Sequence, residues 1–187
     1  MKKLALVLAV IVLMLSFVSC DRNQQNDDEK NKEHIEKVDD KTQEVPEIKT
    51  ATITLYFPDV DALYLHPELR EVEIKENAHP ASIVLEQLFA GPCDEQLSPS
   101  LDGENLVKSV VVENGLCTVD FYDDFKLLNS GGSTKETFAI GSIVNSLCAL
   151  DDVDKVKINI NGNTNAEFGG HFTLDAPFTA QNDLVRQ

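Results

Sequence analysis

LVKSVVVENGLCTVDF, residues 106–121, decides the fold class. Two runs rich in β-branched residues flank Asn114-Gly115, a dipeptide that readily takes the left-handed conformations of a tight two-residue turn, so the stretch predicts a β-hairpin. Helical signals bracket it. On the N-terminal side, Ala81, Val84, Leu85 and Leu88 fall at i, i+3, i+4 and i+7, one apolar stripe. His79-Pro80 opens that helix and Gly91-Pro92 stops it. On the C-terminal side, Ser133-Thr134-Lys135-Glu136 fits a capping box. It predicts a second helix from about Thr134 to Ala149, with Ile140, Ile143, Val144 and Leu147 inward. Further out, Thr52–Phe57, Ala62–His66, Leu69–Lys75 and Val153–Ile160 read as strands. Asn163–Gln187 reads as a polar, glycine-containing tail. The order β-β-β-α-β-β-α-β makes residues 51–187 a single α+β domain, a mixed β-sheet with two helices packed on one face.

Ahead of this domain the composition changes twice. Lys2 and Lys3 precede an apolar run, Leu4–Phe17, interrupted only by Ser16; Val18, the small Ser19 and Cys20 follow. A basic start, an apolar stretch of this length and a small residue before a cysteine predict a lipoprotein signal peptide over residues 1–19. Cys20 would carry the lipid. The other reading is an uncleaved N-terminal anchor, but the run is shorter than the roughly 20 residues of a spanning helix. Residues 21–50 hold no aromatic side chain and only Ile35, Val38, Val45 and Ile48 as larger apolar groups. Such a segment cannot offset its ordering entropy by burial, so residues 20–50 are expected to be the lipidated cysteine and a disordered acidic tether. Its reach would be roughly 30 Å.

The chain's formal charge is −16. The signal supplies +2 and the tether −4, leaving −14 on the domain, from 8 basic and 22 acidic side chains. That balance excludes nucleic-acid binding through counterion release and favours basic partners or divalent counter-ions.

Candidate chemistry is sparse. Asp120, Asp123 and Asp124 in DFYDDF are the densest carboxylates near the hairpin, with Asp151, Asp152 and Asp154 as a second group. The first three could serve as an interaction patch, as a weak cation site, or as the acid–base pair of a peptidoglycan hydrolase; solvated strand ends are the plainer reading. His66, His79 and His171 are single and scattered, with no HxH or HExxH spacing, and read as surface or capping residues. Asn161, Asn163 and Asn165 imitate the start of a calcium loop, but Ala166 and Phe172 stand where its glycine and bidentate glutamate belong. Gly131-Gly132 could cradle an anion at the second helix or form a flexible lead-in. No GxSxG elbow occurs, and no catalytic residue, metal or cofactor is expected. Once Cys20 is set aside, Cys93, Cys117 and Cys148 are odd in number: all free, or one disulfide and one thiol.

Several stretches together carry a resemblance. They are the LYF of Leu55–Phe57, Leu88-Phe89-Ala90-Gly91-Pro92, the Leu-x-x-Ser-Val-Val-Val strand from Leu106, the Asn-Gly turn and Val119-Asp120-Phe121. Ala139-Ile140, Ile143–Leu147, Val156-Lys157-Ile158 and Asn161-Gly162 complete the pattern. Over nearly all of residues 51–187 it resembles the GerMN, or germane, domain of sporulation and spore-germination lipoproteins. Asn161-Gly162 stands where that family tends to have Asp-Gly, and one copy is present where its best-known members carry two. The resemblance implies a compact α+β domain similar to ring-building motifs. It also implies a non-enzymatic role at the extracytoplasmic face of the cell membrane, with envelope or sporulation-complex proteins as partners. Rival functions are a wall-active enzyme or regulator of wall hydrolysis, and a calcium- or ligand-binding domain. Thr52–Phe57 is expected near a sheet edge, where a partner or a weakly associating second copy could add.

Overall fold

The computed structural model describes residues 49–74 and 78–186. The predicted signal, Cys20 and nearly all of the tether lie outside the described residues. Strand β1, Lys49–Pro58, alternates as its sequence requires, with Ile53, Leu55 and Phe57 buried. It pairs antiparallel with β2, Leu65–Ile74, in unbroken register from Lys49↔Ile74 to Pro58↔Leu65. Two short strands expected over residues 62–75 are therefore one. Pro67 suggests a break because it cannot donate to a ladder, but in an outer strand its missing donor costs nothing. Residues 59–64 belong instead to the turn. There Asp59 accepts the amide of Leu63 at 2.8 Å and that of Tyr64 at 3.3 Å, while Ala62 sits at φ +52°.

Helix α1, Pro80–Ala90, has the predicted bounds and stripe, all four stripe residues fully buried. His79 caps it through Nδ1, which accepts the Ala81 amide at 3.1 Å, and its Nε2 reaches Asp152 at 3.0 Å. The helix ends at Gly91, φ +81°, a conformation that favours glycine. Arg70 of β2 seals that end. It donates to the carbonyls of Gln87 (3.3 Å) and Gly91 (3.0 Å) and pairs with Glu68, which in turn accepts the amides of Cys93 and Asp94 at 2.9 and 3.2 Å.

The hairpin expected around Asn114-Gly115 is present as β3, Val107–Glu113, and β4, Leu116–Phe121. Asn114 (φ +52°) and Gly115 (φ +80°) turn it, and a bulge lies between Val107 and Ser109. β5, Lys155–Ile160, runs parallel to β4, giving a three-stranded mixed sheet in the order β3-β4-β5. The expected single sheet is thus divided: β1 and β2 form their own two-stranded sheet.

A short helix not foreseen, α2, spans Asp123–Asn129. The main second helix, α3, spans Ser133–Cys148 and packs against β1, β2, β5, α1 and α2. From Phe138 to Leu147 every residue is buried, polar Ser142, Asn145 and Ser146 included. Such all-round burial needs a cover, and the segment expected to be a polar tail supplies it. Gln181 exchanges hydrogen bonds with Asn145 (2.6 and 3.3 Å), Val185 bridges Leu65, and Arg186 donates to the Leu65 carbonyl at 3.1 Å. Upstream, β6 (Glu167–Phe168) and β7 (Phe172–Thr173) form a small hairpin, and Phe168 and Leu174 are fully buried. Lys157 pins this segment by donating to the carbonyls of Thr164, at 2.5 Å, and Leu174.

Candidate functional site

The carboxylates singled out in the sequence meet the turn after β5. Asp120 accepts the Gly162 amide at 2.8 Å and lies 3.4 Å from the Lys108 ammonium. Lys108 also donates to Asn161 Oδ1 at 3.0 Å, and Asn161 Nδ2 donates to Asp123 at 2.9 Å. Asp120 and Asp123 are brought to one turn, but as its fastening. Asp124 stands exposed in the first turn of α2, where a negative charge suits the helix dipole. Among the described residues no three His, Cys, Asp or Glu side chains are grouped to hold a metal ion.

The three described histidines each meet a different carboxylate: His66 and Asp59 at 3.4 Å, His79 and Asp152 at 3.0 Å, His171 and Glu136 at 2.7 Å. The last pair answers the question raised by Gly131-Gly132. Their amides face the chain's own Glu136, whose Oε1 lies 3.3 Å from Gly132 N and 3.5 Å from Gly131 N. Half of the expected capping box is therefore real, but the N-cap is Gly132 and not Ser133. Glu136 is only 1% exposed. Burial works against its charge, yet the His171 hydrogen bond and the two glycine amides outweigh it and hold the carboxyl below its ordinary 4.5. A depressed folded-state value stabilises the fold above the ordinary one and loses that contribution as pH falls through it. Glu136→Gln should therefore cost about 1–2 kcal/mol at neutral pH. The gap from wild type should narrow as the pH falls below the ordinary 4.5, read from urea midpoints. A gap constant across that fall would refute the assignment.

The three described cysteines are free. Burial pushes the Cys117 thiol up to about 12, with Cys148 and Asp152 adding to the rise. It is protonated at neutral pH and serves as an apolar core group.

What remains is a surface with the shape of a binding site. β3 is an outer strand: among the described residues it pairs only with β4. Between it and α1 runs a groove of about 610 Å³. Leu106, Val107 and Val110 line it from the strand side, and Ser82, Glu86, Phe89 and Ala90 from the helix. The edge expected at β1 exists, but there the Tyr56 amide is taken at 2.9 Å by Ser146 of α3. Residue spacing gave no hint of the groove, because it arises from where α1 lands beside a strand that begins seventeen residues after it ends. No side chain of β3 is fully buried despite Val110-Val111-Val112, as suits an outer strand.

Residues 54–166 match the family model Germane, described as sporulation and spore germination. Among solved structures, the chain is similar to the tandem GerMN domains of the sporulation protein GerM from Bacillus subtilis. The identity is 24% and the TM-score 0.51, over 60% of this chain and 40% of that one. It is similar to the first GerMN domain of the same protein, with 23% identity and a TM-score of 0.48 over 60% and 84%. A candidate lipoprotein from Clostridium perfringens aligns at 19% identity and a TM-score of 0.49, over 73% of this chain and 93% of that one. At these identities the likeness is one of fold, and the chain spans two fifths of the tandem-domain structure. No curated protein matches.

Proposed function

The chain belongs to the Germane family of sporulation and spore germination, and from that premise we propose that it is a membrane-anchored, non-catalytic envelope protein whose domain docks other proteins. The observation that carries the reading is the family domain at residues 54–166 placed behind a basic, apolar leader that ends in Ser19-Cys20. In this reading lipid on Cys20 holds the protein at the extracytoplasmic face of the cell membrane. Its partners are envelope or sporulation-complex proteins. The surplus of acidic side chains favours a basic partner over a second copy, so self-association is weak and strengthens as salt screens the charge. Asp120 and Asp123, the best carboxylates for wall hydrolysis, are committed to internal bonds, which supports a docking role over an enzymatic one.

The test has two arms. Cells producing the full chain or its Cys20→Ala variant are fed a labelled fatty acid, and the purified protein is incubated with peptidoglycan. Label on the wild type alone and undigested wall material are expected. Equal labelling of both forms removes the anchor. Wall digestion that is lost when Asp120, Asp123 and Asp124 become alanine replaces the docking role with an enzyme.

A further inference from the structure

The outer edge of β3 carries no bridge among the described residues, whereas each of the other main strands is met at one or more points. β5 is bridged on its outer side by Phe178 and Asn163, β2 by Val185, and the Tyr56 amide of β1 is taken by Ser146. Along β3, by contrast, the backbone of Val110-Val111-Val112 meets β4 on one side and no described strand on the other. Unpaired strand edges are usually guarded by lysine, proline or a bulge. Here the bulge lies at the first end, between Val107 and Ser109, and Lys108 is drawn away to Asp120 and Asn161. The three valines that follow are unguarded, and Val111 is 48% exposed.

A helix lies alongside the first half of this edge. Ser82, Glu86 and Ala90 of α1, one turn apart, form the far wall of the groove, and half-buried Phe89 lies below them. Phe89 is itself fixed edge-on against Phe121 and Phe125, with centroids 6.4 Å away in both cases, so that the groove has a firm apolar base. An outer strand facing a helix across an apolar trough can accept an extended peptide. Main-chain hydrogen bonds supply affinity, and alternate side chains enter the trough. The volume, about 610 Å³, lies in the range of sites that enclose a ligand. The chemistry of the occupant follows from charge. Glu104 lines the groove, its one ammonium among the described residues, that of Lys108, is bound to Asp120 and Asn161, and the domain carries −14.

We propose that the β3–α1 groove binds an extended segment of a partner protein in which basic and small apolar residues alternate, added as a fourth strand on the edge of β3. The proposal rests on the docking role above and assigns that role a site. A second copy of this chain fits less well, since it would bring another −14 to the same rim.

The experiment uses the full lipidated chain in detergent and a synthetic hexapeptide alternating lysine and valine. Two further probes are the same peptide with alternate backbone nitrogens methylated and a glutamate–valine counterpart. Two exposed positions are varied so that folding is not at stake: Ala90→Trp fills the trough, and Glu104→Lys reverses the rim charge. The lysine–valine peptide should bind and lose at least about tenfold in affinity with either variant, and neither control peptide should bind. Binding of the methylated peptide equal to the parent would show simple charge attraction and overturn strand addition. So would unchanged affinity in Ala90→Trp, or no binding at all. If Ala90→Trp instead dissolves a homo-oligomer, the groove is a self-interface and the basic-partner assignment falls. None of these outcomes touches the docking role, which stands or falls on the peptidoglycan assay.

Discussion

Arg70→Ala is expected to lower the stability of the domain by about 3–5 kcal/mol, among the largest losses a single substitution can cause in this fold. The Arg70 and Glu68 side chains are each only 13% exposed. Two charges taken this far from water are tolerable because each is met several times over. Glu68 has the guanidinium and two loop amides; Arg70 has Glu68, the Gln87 and Gly91 carbonyls and the Gln87 side chain, with its cation 5.9 Å from the Phe57 ring centre. Burial alone would raise the Glu68 carboxyl, but these partners hold it below its ordinary value. Deleting the arginine leaves a carboxylate with no counter-charge and the last turn of α1 without its donors. Lysine should rescue little, because one ammonium cannot span Glu68, Gln87 and Gly91 as the planar guanidinium does. Replacing both partners together, Glu68→Leu with Arg70→Met, should recover most of the loss, since apolar groups carry no desolvation penalty. Urea midpoints of the four proteins test this, and a double variant as unstable as Arg70→Ala would sink the explanation.

The second large effect is expected at Phe125→Ala, also about 3–5 kcal/mol. Phe125 is fully buried and stacks between Phe121, centroids 4.0 Å apart at 12°, and Phe168, 5.5 Å apart at 20°. It therefore joins β4, α2 and the returning C-terminal segment in one column. Truncation would open a cavity bordered by three elements that cannot all move inward. Phe125→Leu should keep more than half of the stability lost in alanine, because most of the volume remains. The α2 signal in far-ultraviolet circular dichroism should weaken along with the thermal midpoint, since a seven-residue helix has little stability apart from its packing. An alanine variant within about 1 kcal/mol of wild type would mean the column is not a principal support.

These two sites also show what could and could not be read from residue order. α1 was legible end to end because proline, stripe and glycine all mark the same eleven residues. The β3–β4 hairpin was legible because Asn-Gly specifies its turn locally. α2 was not, because its buried positions are one phenylalanine and Asn129, and no stripe can be seen in two residues. Asn129 is held by Asp102, at 2.7 and 3.0 Å, across a loop whose path no spacing reveals. The order within the C-terminal segment was not legible for a related reason. Its few apolar groups are irregularly spaced, and its order comes from backbone bonds such as Leu174 to Ala166 at 2.9 Å. Of the three aspartates proposed as a site, two do converge, but sequence could not tell a fastening from a ligand set. The groove beside β3 is a product of tertiary placement alone.

The closure of α3 by residues 181–186 has a consequence for the order in which the molecule can assemble. Leu65 and Val185 are joined although 120 positions separate them, and Asn145 waits for Gln181. A chain appearing N-terminus first can zip β1 to β2 and wind α1 from neighbouring residues. It cannot satisfy Asn145 or cover Gly141 until residues 181–186 have emerged. Sequence-distant contacts of this kind slow the search for the native state, because loop entropy is lost before the contact is gained. Until then Asn145 stays wet and the side of α3 around Gly141 is unsheltered, so the interval before residues 181–186 arrive leaves the nascent chain open to proteolysis and to chaperones.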